Sequence, residues 1–330
     1  MKNKKTNILL TGGAGYIGSV LAHHLLEKDY NVFIIDNLIA GHVSLMPKKC
    51  IFFRGDFSSK KILKKVFKNR IDIIIHMAAF IEVEESIKKK KKYMNNNYKK
   101  FKIFVKFTNK YCKNIIFAST ASVYKSKDNL IRENSITDPV NPYAQSKLAA
   151  ENFLINYPEK KINYIILRFF NVAGAHKKLK SGLVTDKPTH LIKRLCVFAV
   201  NKKKIFSIFG NNYNTPDGTA IRDYIHVSDL CNIVLLIVPK ILNKRVSKIF
   251  NCGYGKGFSV KEVFEEFNKL SNFKLVPKIE KARKGDVKIL VSDSSKIKKF
   301  LNWKPRFNNL SLILKSSLRW EKKIKQENFK

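Results

Sequence analysis

The run Ile8-Leu9-Leu10-Thr11-Gly12-Gly13-Ala14-Gly15-Tyr16-Ile17-Gly18 decides the fold. An apolar strand leads into a glycine turn, and a helical stretch from Ser19 to about Lys28 follows. Gly12, Gly15 and Gly18 are spaced G-x-x-G-x-x-G, one residue longer in the first gap than the G-x-G-x-x-G form. The first glycines let the backbone turn sharply and approach a pyrophosphate, and the last lets the helix pack closely on the strand. The helix N-terminus then offers free N–H groups and a partial positive charge to phosphate. A second strand, Asn31 to Ile35, ends in Asp36, eighteen residues past Gly18. A carboxylate there accepts hydrogen bonds from an adenosine ribose and repels a 2′-phosphate, which favours NAD over NADP. A glycine triplet alone serves packing as readily as ligand binding. The strand before it, the helix after it and the acid at this distance favour the dinucleotide.

At 330 residues and 45% hydrophobic content, the chain can bury a sizeable core as one large α/β unit or two joined domains. Its charge is unusual: Lys+Arg is 65 against Asp+Glu 25, a formal +40. Such a balance points to nucleic acid, an anionic membrane or acidic substrates. The distribution argues otherwise, because 55 lysines and only 10 arginines are scattered through every segment. Recognition of phosphates and base edges favours the planar fork of arginine. Solvated surface is therefore the reading, for the run Lys88 to Lys92 as well, and a nucleic-acid partner is not expected. Five widely spaced cysteines with no C-x-x-C pair read as free thiols in a reducing compartment, with no zinc site or disulfide framework. The apolar stretch from Leu230 to Val238 stops at Pro239 and is too short to span a bilayer, and Ile8 to Leu10 is too short for a signal core. A cytoplasmic protein without a membrane partner is the expectation.

After Asp36-Asn37, the strand Cys50 to Asp56 ends in an acid that could accept from an adenine amino group or cap a helix beginning near Ser58. Ile71 to Ile75 continues into His76-Met77-Ala78-Ala79, small residues that leave room for a ligand at the sheet edge. Lys113 to Phe117 ends in Ala118-Ser119-Thr120, and Asn163 to Leu167 in Arg168-Phe169-Phe170-Asn171. Helical patterns, including Ser86 to Cys112 and Ala144 to Asn156, lie between. Strand and helix alternating on this scale predict a doubly wound, Rossmann-like parallel α/β sheet. From about Val172 the rhythm breaks into short strands and turns such as Asn214-Thr215-Pro216-Asp217-Gly218. The expected division is a dinucleotide-binding domain over 1–171, with a later segment near 222–240 returning to it, and a smaller mixed α/β substrate domain over 172–330.

Thr120 and Tyr143-Ala144-Gln145-Ser146-Lys147 form the second constellation. In a helix Tyr143 and Lys147 are i and i+4, so both emerge on one face. A phenol titrates near pH 10 and is a poor base at neutral pH. An ammonium one turn away, with a nicotinamide positive charge nearby, favours the phenolate, and the Thr120 hydroxyl can share a substrate proton. A core tyrosine beside a snorkelling lysine is the bland alternative; the glycine turn weighs against it.

Together the glycine turn, Asp36-Asn37, Gly55-Asp56, His76 to Ala79, Ser119-Thr120, Tyr143-x-x-x-Lys147 and Arg168 to Asn171 resemble the extended short-chain dehydrogenase/reductase family. From Asn171 onward the chain is similar to its UDP-hexose 4-epimerase branch, in Asn171 to Ala175, Thr189 to Ile192, Ile208 to Tyr213, Arg222-Asp223-Tyr224-Ile225-His226-Val227, and Arg283 to Asp286. The resemblance implies NAD contacts at Gly12, Gly15, Tyr16, Ile17, Gly18, Asp36, Asn37, Asp56, Phe57, Met77, Ala78, Ala79, Asn96, Ser119, Tyr143, Lys147 and Phe170. It implies catalysis by Tyr143, Lys147 and Thr120. UDP-hexose would be held by Thr120, Tyr143, Asn171, His190, Leu191, Phe209, Arg222, Arg283 and Asp286, the two arginines taking the diphosphate. The implied reaction interconverts UDP-glucose and UDP-galactose through a 4-keto sugar, in a homodimer joined by helices near Tyr98 to Cys112 and Ala144 to Tyr157.

Three departures stand out. Ile81 replaces a cofactor-contacting lysine of many relatives, Lys125 replaces a glycine, and Lys99-Lys100 replaces an Asn-Gly after Asn96-Asn97. Leu290 falls where side-chain bulk limits the sugar's 2-substituent, and leaves N-acetylated hexoses open. The competing readings are a nucleotide-sugar decarboxylase or dehydratase and, from another class, a non-catalytic dinucleotide sensor or RNA binder. A dehydratase would carry an Asp-Glu pair where Ala121-Ser122 follow Thr120.

Overall fold

The computed structural model describes residues 5–125, 130–158, 162–282 and 287–327. Strands β1 (Asn7–Thr11), β2 (Asn31–Asp36), β3 (Ile51–Arg54), β4 (Ile73–His76), β5 (Asn114–Thr120) and β6 (Asn163–Phe169) join Lys248–Cys252 in a seven-stranded sheet. Across the sheet the order is Lys248–Cys252, β6, β5, β4, β1, β2, β3. β1 pairs parallel with both β2 and β4. The chain therefore winds outward in both directions from β1, and the order reverses between β1 and β4. Open parallel sheets bind ligands beyond the strand C-termini at such a reversal.

Ile8, Leu9, Leu10, Ile73 and Ile75 are fully buried, so the central strands are apolar on both faces and need cover on both. On one side Leu9, Phe33 and Ile74 pack with Phe101, Phe104, Phe117 and Leu154. The expected helix from Ser86 to Cys112 is interrupted: Val83–Lys88 and Lys90–Tyr93 precede a π-helical stretch, Met94–Lys100, and Phe101–Thr108 follows. The wide turn carries Asn96 and Asn97 into the interior, where a regular 3.6-residue pattern would not place two adjacent amides. The helix of the Tyr-Lys pair is Pro142–Ile155, starting two residues earlier than expected. Asn141 caps it by accepting from the Ala144 N–H at 2.9 Å, and Pro142 occupies the first turn, where its missing N–H costs nothing.

The chain divides into two compact units. The first comprises the described residues of Met1–Val123, Thr137–Arg168 and Cys231–Phe250, and the second those of Tyr124–Ile136, Phe169–Leu230 and Asn251–Lys330. In the second, β7 (Asn171–Ala173), β8 (Ile205–Phe209) and β9 (Ile221–His226) precede Lys248–Cys252, which is β10; β11 (Gly257–Ser259), β12 (Val276–Glu280) and β13 (Ile289–Leu290) follow it. β9 lies between antiparallel β11 and parallel β13, with β7 also paired to it, while β8 and β12 form a separate parallel pair. Among the described residues no helix is long and apolar enough to cross a membrane. Cys112, Cys196, Cys231 and Cys252 are buried free thiols, and Cys50 is a half-buried one.

Candidate active site

Gly12 leaves β1 with φ +74°, a conformation that favours glycine, and its N–H donates to the Ile35 carbonyl at 2.9 Å. A Cβ at Gly12 would lie 2.7 Å from the Ala78 nitrogen, and one at Gly18 2.1 Å from the Gly12 oxygen. These glycines let the turn, the start of the helix Tyr16–Glu27 and the segment after β4 approach one another. At Gly15 the nearest obstacle to a Cβ is 3.4 Å away, and no side chain caps the helix there. Open backbone and uncapped N–H groups at a helix N-terminus fit a pyrophosphate, so the cradle fits a dinucleotide. Thr11 and His76, at the ends of β1 and β4, are hydrogen-bonded at 2.8 Å. Met77 donates its N–H to the Thr11 carbonyl at 3.0 Å, and Ala78 and Ala79 follow, half-buried.

Asp36 is buried and accepts from the Ala14 N–H at 3.0 Å and the Leu38 N–H at 2.8 Å, so the acid expected to meet the ribose also braces the glycine turn. Asn37 is exposed and accepts from the Ile39 N–H at 3.1 Å. The helix-cap alternative for Asp56 does not hold: Ser59 caps the helix Lys60–Val66. Asp56 instead accepts from the Ser58 N–H and hydroxyl at 2.8 and 2.7 Å and pairs with Lys100. Burial pushes its pKa up, but the hydrogen bonds from Lys100 and Ser58 prevail and hold the carboxyl below its usual range. The Phe57 ring is turned into the core, edge-on to His76 at 4.8 Å between centroids. Tyr16 and Ile17 lie half-buried in the first turn of their helix, and Ile81 is 49% exposed.

Thr120 ends β5, and its hydroxyl faces the phenol of Tyr143, where it favours the phenolate. Tyr143 is half-buried as a residue while its hydroxyl lies in the interior. Burial pushes the phenol up to about 12, with the Thr120 hydroxyl opposing. Desolvation thus prevails in the phenol, and the lowering expected from an ammonium one turn away together with a nicotinamide charge does not appear in it. Lys147 is buried, with Nζ 4.1 Å from the centre of the Phe117 ring. Burial pulls its pKa down to about 7, against the charge of Glu151. Asn96 donates to the Asn97 side chain at 3.1 Å. Asn97 in turn holds the Phe80 carbonyl at 2.9 Å and the Ser146 hydroxyl at 3.1 Å, tying the π-helical turn to the helix of Tyr143.

In the second unit, Phe170 is buried and its N–H donates to the Cys252 carbonyl at 3.1 Å; Asn171 opens β7. His190 stands exposed at the N-cap of the helix Leu191–Val200 without a side-chain capping bond, and Leu191 begins that helix. One turn on, the Arg194 guanidinium lies 5.3 Å from the ring centre of Phe209, at the end of β8. Arg222 Nη1 donates to the Ile221 carbonyl at 2.9 Å, and β13 places Leu290 in register with Arg222. The buried Asp223 carboxylate accepts from the Tyr254 and Gly255 N–H groups, each at 2.9 Å, and from Ser292. Arg283 and Asp286 lie outside the described residues.

Residues 8–253 match the family model described as NAD dependent epimerase/dehydratase family. The chain belongs to that family. Within the epimerase/dehydratase family it is similar to a UDP-glucose 4-epimerase of Azospirillum brasilense, 37% identical over 323 residues that cover 97% of this chain and 93% of the relative. A UDP-glucose 4-epimerase of Streptococcus mutans is 35% identical, over 95% of this chain and 96% of its own. Among solved structures, a UDP-glucose 4-epimerase from Bifidobacterium longum in complex with NAD+ and UDP superposes with a TM-score of 0.90 at 33% identity, over 96% of this chain and 98% of that one. Asn97, Lys100, Glu151 and Arg194 touch this family's candidate site residues yet escape a reading of the sequence. The sequence marked the first two only through the Lys99-Lys100 that replaces an Asn-Gly after Asn96-Asn97.

Proposed function

We propose that the protein interconverts UDP-glucose and UDP-galactose by transient oxidation at hexose C4, with NAD held in the first unit and the nucleotide part of the substrate in the second. The observation that carries this is the set Thr120, Tyr143 and Lys147, arranged on β5 and one helix face of the unit that also presents the glycine cradle. When bound, NAD supplies a reversible hydride acceptor. The turn of Gly12, Gly15 and Gly18 holds its pyrophosphate, Asp36 and Asn37 its adenosine ribose, and Asp56 its adenine. Tyr16, Ile17, Phe57, Met77, Ala78, Ala79, Asn96 and Ser119 of the first unit, and Phe170 of the second, are its further proposed contacts.

Tyr143 takes the proton of the 4-hydroxyl and returns it to the sugar oxygen after the 4-keto sugar has turned over. Thr120 bridges phenol and substrate, and Lys147 holds the nicotinamide ribose while its charge favours the phenolate. The free phenol, pushed up to about 12, is a poor base at neutral pH. The positive charge beside it, when substrate and cofactor are bound, is what brings it into the working range. Arg222 and Arg283 take the diphosphate, and Asn171, His190, Leu191, Phe209 and Asp286 take the uridine and the sugar. The relatives are epimerases and Ala121-Ser122 replace an acid pair, so the decarboxylase and dehydratase readings are set aside.

Free, mostly buried thiols support a reducing, cytoplasmic setting. Exposed Ile103 in the helix Phe101–Thr108 and Tyr111 just past its end, with Ile155 at the end of Pro142–Ile155, support a homodimer through these helices. The test of function is purified protein incubated with UDP-galactose and no added NAD. UDP-glucose appears, and protein that carries NAD yet leaves UDP-galactose unchanged refutes the reading.

A further inference from the structure

We infer that Glu151 is a positioning residue of this reaction: its buried carboxylate joins Ser119 and Arg168 into a clamp that fixes the Tyr143–Lys147 helix face against the end of β5, and it is the counter-charge that Lys147 faces. The inference rests on the proposed function of Tyr143 and Lys147. Tyr143, Lys147 and Glu151 are spaced i, i+4, i+8 and share one face of the helix Pro142–Ile155. Glu151 is 0% exposed, Ser119 3% and Arg168 4%. Arg168 Nη2 donates to Oε2 at 2.6 Å and Nε to Oε1 at 3.1 Å, while the Ser119 hydroxyl donates to Oε1. One carboxylate thus ties the helix to β6 and to β5, at the residue directly before Thr120. A slip of that helix along the sheet would separate the Thr120 hydroxyl from the Tyr143 phenol.

Stability alone does not account for the arrangement, since a buried ion pair replaced whole by apolar side chains often leaves a protein as stable as before. Its effect on the neighbours does. Around Lys147 stand Tyr143 and Glu151 on its own helix, the Phe117 ring of β5 and His76 of β4. His76 is held well below its usual pKa by burial and by the charge of Lys147, so it is neutral and offers no counter-charge. Arg168 is a cation already engaged by Glu151. Glu151 is therefore the carboxylate, among these described groups, that opposes the loss of the Lys147 proton. Without it Lys147 gives up its proton at lower pH, and the ammonium that favours the phenolate disappears earlier as pH rises.

Two variants test this. Glu151→Gln removes the charge and keeps the shape; Glu151→Leu with Arg168→Met removes the whole pair, so Arg168 is not left as an unpaired buried cation. In Glu151→Gln the alkaline limb of the kcat–pH profile moves to lower pH by about one unit, the low end of what a neighbouring charge does, and in the double variant, which loses a cation with the anion, it moves the same way by less. The Lys147 13Cε resonance, assigned through Lys147→Arg, titrates correspondingly lower in each folded variant. Folded variants with an unmoved limb and an unmoved Lys147 titration overturn the proposal, and so does a fall in kcat with both unmoved, the mark of a merely structural role. Wild-type protein that fails to convert UDP-galactose refutes the function, while the resonance still decides whether Glu151 governs Lys147.

Discussion

Replacing Tyr143 with phenylalanine lowers kcat for UDP-galactose by about 10³-fold, within the range a positioned general acid–base group contributes. The change removes one oxygen and keeps the ring that packs in the site, so the folded structure and the NAD content stay near those of the parent. What disappears is the group that faces the Thr120 hydroxyl at the end of β5 and shares a helix face with Lys147. Steady-state rates by coupled assay, with NAD released from denatured protein quantified alongside, separate lost chemistry from lost cofactor. Equal kcat in parent and variant would remove Tyr143 from the mechanism.

Gly12→Val yields protein that purifies without NAD and melts several degrees lower. Two independent costs add at this position. The φ of +74° is one that a β-branched residue adopts only with strain of about 1–3 kcal/mol. Its Cβ would also press on backbone, 2.7 Å from the Ala78 nitrogen and 2.9 Å from the Ala78 Cα, which cannot rotate away as a side chain could. Gly15→Ala is the control, because its Cβ meets nothing nearer than 3.4 Å and its φ of −78° is ordinary. That protein keeps the melting temperature of the parent. Differential scanning calorimetry and nucleotide extraction check both, and a Gly12→Val protein that retains NAD at parental stability would contradict the cradle.

What was legible in the sequence is what is local. The strand, glycine turn and helix at Ile8–Lys28 announce themselves because apolar run, glycine spacing and helical period change within a few residues. Tyr143 and Lys147 are neighbours through helix geometry alone, whereas the start of their helix at Asn141-Pro142, two residues before the expected Ala144, was missed. What was illegible depends on chain segments brought together from afar. The Glu151–Arg168 pair spans two elements, and the Lys100–Asp56 pair needs both the π-helical turn and the loop after β3 in place. The π-helical turn cannot be read from a 3.6-residue period, since it is the departure from that period which buries Asn96 and Asn97. For the same reason Asp56 looked equally suited to capping a helix, a role the structure gives to Ser59.

The central claim is that one site takes a hydride from hexose C4 and returns it to the other face of the same carbon. UDP-galactose carrying deuterium at C4, incubated with the purified protein in ordinary water, tests this directly by proton NMR and mass spectrometry of the UDP-glucose formed. The deuterium is retained at C4 through many turnovers if the hydride returns to the carbon it left. UDP-glucose formed with hydrogen from the solvent at C4 would show that the bond is broken by proton abstraction, and would contradict the claim.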